Sequence, residues 1–124
     1  MKTGRILVIV GCVLSFGTAL LHGAPYRVVS AAISGSNAPP TTVAAFKCLW
    51  LAFSVQFILL SAIAAAALGS ARAKQIVLLC ALLPALDAGL MYFFLGPFIG
   101  AYCVTGVAAC LLAGGLLQPD PQSA

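Results

Sequence analysis

The sequence predicts an all-α membrane protein, a four-transmembrane-helix antiparallel bundle with a short surface-lying segment in its first outer loop. Three observations carry that expectation. The chain of 124 residues is 63% hydrophobic and only 6% charged, whereas a soluble domain carries roughly a quarter charged residues to wet its surface. Disordered chains are polar, so disorder does not account for the missing charge. Finally, the apolar residues fall into four runs, each near the ~20 residues that cross a ~30 Å hydrocarbon core, and in lipid helices satisfy their own backbone groups. A single membrane domain over residues 1–124 follows.

The first span covers about 6–22, after Lys2 and Arg5. Cations ahead of an apolar core also suit a cleaved signal peptide. Cleavage after Ala24 would put His22 at the third position back and Pro25 just beyond, so the uncleaved helix is the expectation. The outer loop, 23–42, carries Pro25, Gly35, Pro39 and Pro40. Inside it Tyr26 to Ile33 can form one or two turns on the membrane surface, with Val28, Val29, Ala32 and Ile33 on one face.

The second span runs over 43–69, with Thr41 or Thr42 as the expected N-cap. A short polar turn, 70–74, leads to the third span at 75–95. Gly96-Pro97 then links almost directly to the fourth at 97–117, with Pro97 expected at its first position. A cytoplasmic tail, 118–124, closes the chain. Lys2, Arg5, Arg72 and Lys74 share one side of this topology, against Arg27 and Lys47 on the other. The positive-inside rule puts the first group, and both termini, in the cytoplasm. The expected location is a cell membrane, as a multi-pass protein of the bacterial inner membrane.

Small residues recur along every span: Gly11, Ser15 and Ala19; Ser61 and Ala65; Ala85 and Gly89; Gly106 and Gly114. Such rows let helix backbones approach where lipid removes the hydrophobic drive. In a chain this rich in Ala and Gly some of them arise from composition alone.

Asp87 is the residue that most needs explaining. It lies near the middle of the third span, three residues after Pro84. An acid at that depth costs about 2.5–3.5 kcal/mol to insert, so it is expected to face protein or water. Counting helical rise puts Gln56, Thr18 and Thr105 in the same layer. Gln56 is the best-placed partner and Lys47 the runner-up, because Lys47 starts nearer the outer surface and snorkels outward more easily. Asp87 and the row of Ala85 and Gly89 point to opposite faces of one helix. Either this chain covers both faces or one meets another subunit, so a homo-oligomer or a larger membrane complex is the partner expectation, beside the bilayer itself.

The remaining features point to no chemistry. The single His22 reads as a wetted interfacial residue, and Trp50, Tyr26, Tyr92 and Tyr102 as an aromatic belt. Cys12, Cys48, Cys80, Cys103 and Cys110 are odd in number and lack C-x-x-C spacing, against a disulfide framework or zinc site. Whether Cys48 and Cys103 pair stays open. With one membrane Asp, one His and no Glu, no acid–base pair, metal site or cofactor is expected. The few scattered cations give no footprint for nucleic acid. What remains is a non-catalytic accessory subunit, assembly factor or lipid-interacting protein. The alternative is a small oligomeric transporter or channel using Asp87 in a proton or cation path.

Overall fold

The computed structural model describes residues 2–119. Met1 and residues 120–124, which make up most of the expected tail, lie outside the described residues. Those described form five helices and no strand: α1 (Lys2–Gly23), α2 (Tyr26–Ser34), α3 (Pro40–Ala67), α4 (Ala73–Leu95) and α5 (Ile99–Leu116). Four of them, α1, α3, α4 and α5, are long and apolar enough to cross a membrane. At 1.5 Å per residue they measure about 33, 42, 35 and 27 Å. Only α3 clearly exceeds the ~30 Å hydrocarbon core.

The excess length of α3 lies at its start. His22 stacks on Trp50 and a Cβ at Gly23 would lie 3.4 Å from Ser54, so α1 ends level with residues 50–54 of α3. The first ten residues of α3 overrun it by roughly 15 Å, and α2 packs on α3. Although the sequence favours Thr41 or Thr42 as the N-cap, the helix begins at Pro40 with Pro39 as its cap residue. Proline at the first position has its φ preset and no N–H needing a partner, so the chain enters the helix without a threonine cap.

α1 is the central element, packing along α3 on one side and α5 on the other, while α4 packs along α5. Its buried face is Gly4, Val8, Gly11, Ser15, Thr18 and Ala19, a spacing of three and four that keeps one stripe inward. Against α5 this stripe works by absence of side chains. A Cβ at Gly11 would lie 2.9 Å from Leu111, one at Gly4 2.9 Å from Leu117, and one at Gly114 2.7 Å from Val8 and 3.1 Å from the Gly4 carbonyl. Against α3 it works by hydrogen bonds. Ser15 Oγ donates to the Phe57 carbonyl at 2.8 Å, and Ser61 Oγ to the carbonyls of Phe57 at 2.8 Å and Cys12 at 3.1 Å. Close backbone approach and side-chain hydrogen bonds are the two forces available between helices in lipid. Phe57, Ala64, Val77, Val104, Val107 and Leu111 fill the space between.

α4 continues unbroken through Pro84, which is buried on the core face with Val77, Cys80, Ala81 and Ala88. It ends at Gly96, with φ 72° and ψ −168°, a region essentially closed to side-chain-bearing residues. The sequence places Pro97 at the start of the last helix; instead Pro97 stays outside it, Phe98 is the extended N-cap and α5 opens at Ile99. The residue before a proline is pushed out of the helical region, so the reversal takes Gly96, Pro97 and Phe98 together. Nothing lies within 4 Å of a Cβ at Gly96, so substitution there tests backbone conformation alone. Gly96→Ala is expected to lower stability by about 1–3 kcal/mol, read as a reduced unfolding midpoint in detergent; an unchanged midpoint would show that the turn is not held in this conformation.

Candidate polar site within the bundle

Asp87 lies 14 residues from the start of α4 and eight from its end, about 21 and 12 Å along the axis. Its carboxylate accepts a hydrogen bond from Gln56 Nε2 at 2.5 Å. Both side chains are half-buried. The bond joins α3 to α4, which pack on each other less extensively than the other neighbouring spans do. Side-chain hydrogen bonds are one of the forces that join helices in lipid, and this one sits where few apolar contacts compete.

The other polar residues singled out from the sequence do not join this pair. Thr18 Oγ1 donates to the Leu14 carbonyl of its own helix at 2.8 Å, and Thr105 Oγ1 to the Ala101 carbonyl at 2.8 Å. The second partner of Thr105 is the Tyr92 hydroxyl at 3.5 Å, on the α4–α5 face away from Gln56. Lys47 is nine residues before Gln56, about 13.5 Å along the same helix. Among the residues read as packing positions, Gly11, Ser15, Ala19 and Gly114 are buried between helices, and Ser61 bonds across to α1. Ala65 and Ala85 are exposed, Gly106 is open enough that a Cβ would meet only Leu14, at 3.9 Å, and nothing lies within 4 Å of one at Gly89. Among the described residues no backbone packs closely on the row on α4. Two close-packing glycines escaped the sequence reading: Gly4, one heptad before Gly11, and Gly115, where a Cβ would lie 2.9 Å from Leu78. The heptad spacing could have found the first.

His22 is the clearest correction. The residue expected to be wetted at the interface is half-buried, and its Nε2 is covered with no hydrogen-bond partner among the described residues. Its ring stacks on Trp50 at 4.1 Å and lies tilted against Phe53 at 4.6 Å. Trp50 Nε1 in turn donates to the His22 carbonyl at 2.9 Å. Overrun of α1 by α3 brings this about: the partner helix continues past His22 and covers it. The five cysteines are all free thiols, Cys48 exposed and Cys103 half-buried.

The arrangement holds helices together at defined points. It also places one carboxyl group at mid-span, with one amide donor and, among the described residues, no second acid or base bonded to it. Four spans long and apolar enough to cross a membrane suggest a multi-pass membrane protein. No protein-family model, curated protein or solved structure matches the chain.

Proposed function

We propose that this protein is a non-catalytic, multi-pass accessory membrane protein, a structural subunit, assembly factor or lipid-interacting protein of a bacterial inner membrane. In this reading α1, α3, α4 and α5 form an antiparallel bundle with cytoplasmic termini, and α2 lies on the outer surface. Reversed contact order supports the antiparallel course: early Gly4 meets late Leu117, and Gly11 meets Leu111.

One observation carries the functional reading. The hydroxyls and amides that bond within the spans are spent on holding helices or on their own backbone: Ser15, Ser61, Thr18 and Thr105 on carbonyls, Gln56 on Asp87. Among the described residues no second titratable group bonds to Asp87 to complete an acid–base pair. The uncovered Ala85 and Gly89 face is the place where a neighbouring subunit would approach closely.

A second reading has one observation in its favour, the carboxylate at mid-span. Such groups serve proton and cation paths in transporters, and several protomers would be needed to build a pore from a bundle this small. The mass of the complex in native lipid separates the two. A defined association with a different protein is expected. A closed homo-oligomer whose proton flux in vesicles is lost in Asp87→Asn would reject the accessory reading in favour of the transporter. Reporter fusions to each terminus test the orientation, with activity expected only from cytoplasmic reporters; activity only from periplasmic reporters would reverse it.

A further inference from the structure

The bond between Gln56 and Asp87 uses only part of each group. Gln56 Nε2 donates one N–H to Asp87 Oδ2. Its second N–H, Gln56 Oε1 and Asp87 Oδ1 have no partner among the described residues. The covered side-chain atoms that lack a partner belong to His22, Ser54 and Gln118. The free oxygens of Gln56 and Asp87 are not among them, so they keep open surface.

That surface lies on the outer rim of the α3–α4 contact. At 100° per residue, Leu83 and Leu90 stand about 40–60° to one side of Asp87 on α4, and Pro84 and Ala88 about 60–100° to the other. The first two are exposed and the second two buried. On α3 the exposed Leu59 and Ile63 stand on one side of Gln56 and the buried Phe57 and Leu60 on the other. Both polar side chains thus sit where the packed face of each helix meets its exposed face.

Hydrocarbon offers these atoms no partner, and carboxyl groups at this depth face protein or water. The four exposed side chains around them are apolar and give water nothing to bond. Whatever covers the rim must bring a donor and an acceptor to this one layer, and a second copy of the chain does so. Copies inserted in one orientation hold Gln56 and Asp87 at one depth, so a two-fold axis along the membrane normal brings the pairs together without offset. An isologous contact requires a self-complementary patch, and a free amide N–H beside a free carboxyl oxygen is one.

We propose that two copies of this chain associate through the α3–α4 rim about such an axis. The free N–H of each Gln56 donates to the partner's Asp87 Oδ1, and Leu59, Ile63, Leu83 and Leu90 pack around the bonds. A protonated Asp87 donates instead to the partner's Gln56 Oε1, so the contact forms in either protonation state. The dimer depends on neither functional reading: the Ala85 and Gly89 face stays open to a different protein, and proton flux is a separate measurement.

The test is energy transfer between full chains labelled at the N-terminus, in phosphatidylcholine vesicles over a range of lipid-to-protein ratios. Transfer is expected to rise linearly with acceptor fraction, the signature of a dimer. Gln56→Leu and Asp87→Leu are each expected to weaken the dimer about tenfold. Asp87→Asn keeps an acceptor and adds donors, and should stay within about threefold. Leu59→Ala combined with Leu90→Ala leaves the polar pair intact, trims side chains exposed in the single chain, and should weaken the dimer about fivefold. Gly89→Ala, on the other face of α4, should leave it unchanged. Helical content and unfolding midpoints show which variants fold. If either Leu variant does not, the unaltered chain and the paired Ala variant decide. A monomer at every ratio, alone or with a different protein on this rim, would overturn the proposal, as would a trimer or larger ring. An unchanged dissociation constant in folded Gln56→Leu or in the paired Ala variant would do the same. Loss of the dimer in Gly89→Ala would place the contact on the opposite face and overturn it too.

Discussion

Gly114→Ala is expected to destabilise the protein by about 2 kcal/mol, while Gly89→Ala leaves it within ~0.5 kcal/mol of the unaltered chain. The chemical change is the same, and both positions are helix-interior glycines. At Gly114 the added Cβ would lie 2.7 Å from Val8 Cγ2, 2.9 Å from the Val8 backbone nitrogen and 3.1 Å from the Gly4 carbonyl. Two of those three are backbone atoms of α1, which cannot rotate away. α1 and α5 must separate, and overpacking of that kind costs about 1–3 kcal/mol. At Gly89 nothing lies within 4 Å, and replacing a helical glycine recovers roughly 0.5–1 kcal/mol of backbone entropy, part of which exposure offsets. Reversible unfolding in detergent, followed through Trp50 fluorescence, measures both. Equal effects at the two positions would show that α1 and α5 do not meet at Gly114. A large loss confined to Gly89→Ala, accompanied by a fall in oligomer mass, would place a subunit contact on the outer face of α4.

The second large effect is expected at the Gln56–Asp87 bond. Gln56→Leu leaves the half-buried carboxyl group without its donor, which puts the cost at the lower end of the about 1–3 kcal/mol for an unpaired buried acceptor. Asp87→Asn keeps a hydrogen-bonding group of the same shape and is expected to change stability by less than ~0.5 kcal/mol. Hydrogen bonds between membrane helices average ~0.6 kcal/mol by double-mutant cycle and reach ~1.7. On this sparsely packed side of the bundle few other contacts stand in for the bond, so a cycle of Gln56→Leu with Asp87→Leu should return a coupling of about 0.6–1.7 kcal/mol. Coupling near zero would mean that α3 and α4 are held by their connecting turn and apolar contacts alone.

The four long helices were legible because hydropathy is a local property: a run of apolar residues long enough to span a bilayer has few other structures open to it. The pairing of Gln56 with Asp87 was legible for a related reason. Helical rise is constant, so residue counts from the helix ends give relative depth, and only a few polar residues share any one layer. The sequence also placed Gly11 and Ser15 on a packing row, since a spacing of four puts side chains on one face whatever lies opposite.

What lies opposite was decided by tertiary structure. Ala85 and Gly89 have the same spacing as Gly11 and Ser15, yet among the described residues no helix covers them, because the orientation of α4 is set by Val77, Ala81, Pro84 and Ala88 packing inward. His22 reads as an interfacial histidine from its place near the end of its own helix. Its burial depends on α3 being about ten residues longer at that end, which brings Trp50 and Phe53 across it. Pro97 carries the local signal for a helix start, but the reversal at Gly96 consumes it. A sequence specifies rise, periodicity and cost in lipid residue by residue. Rotation about each helix axis, and so which face is covered, depends on the summed packing of neighbours distant in the chain, and no local pattern contains that sum.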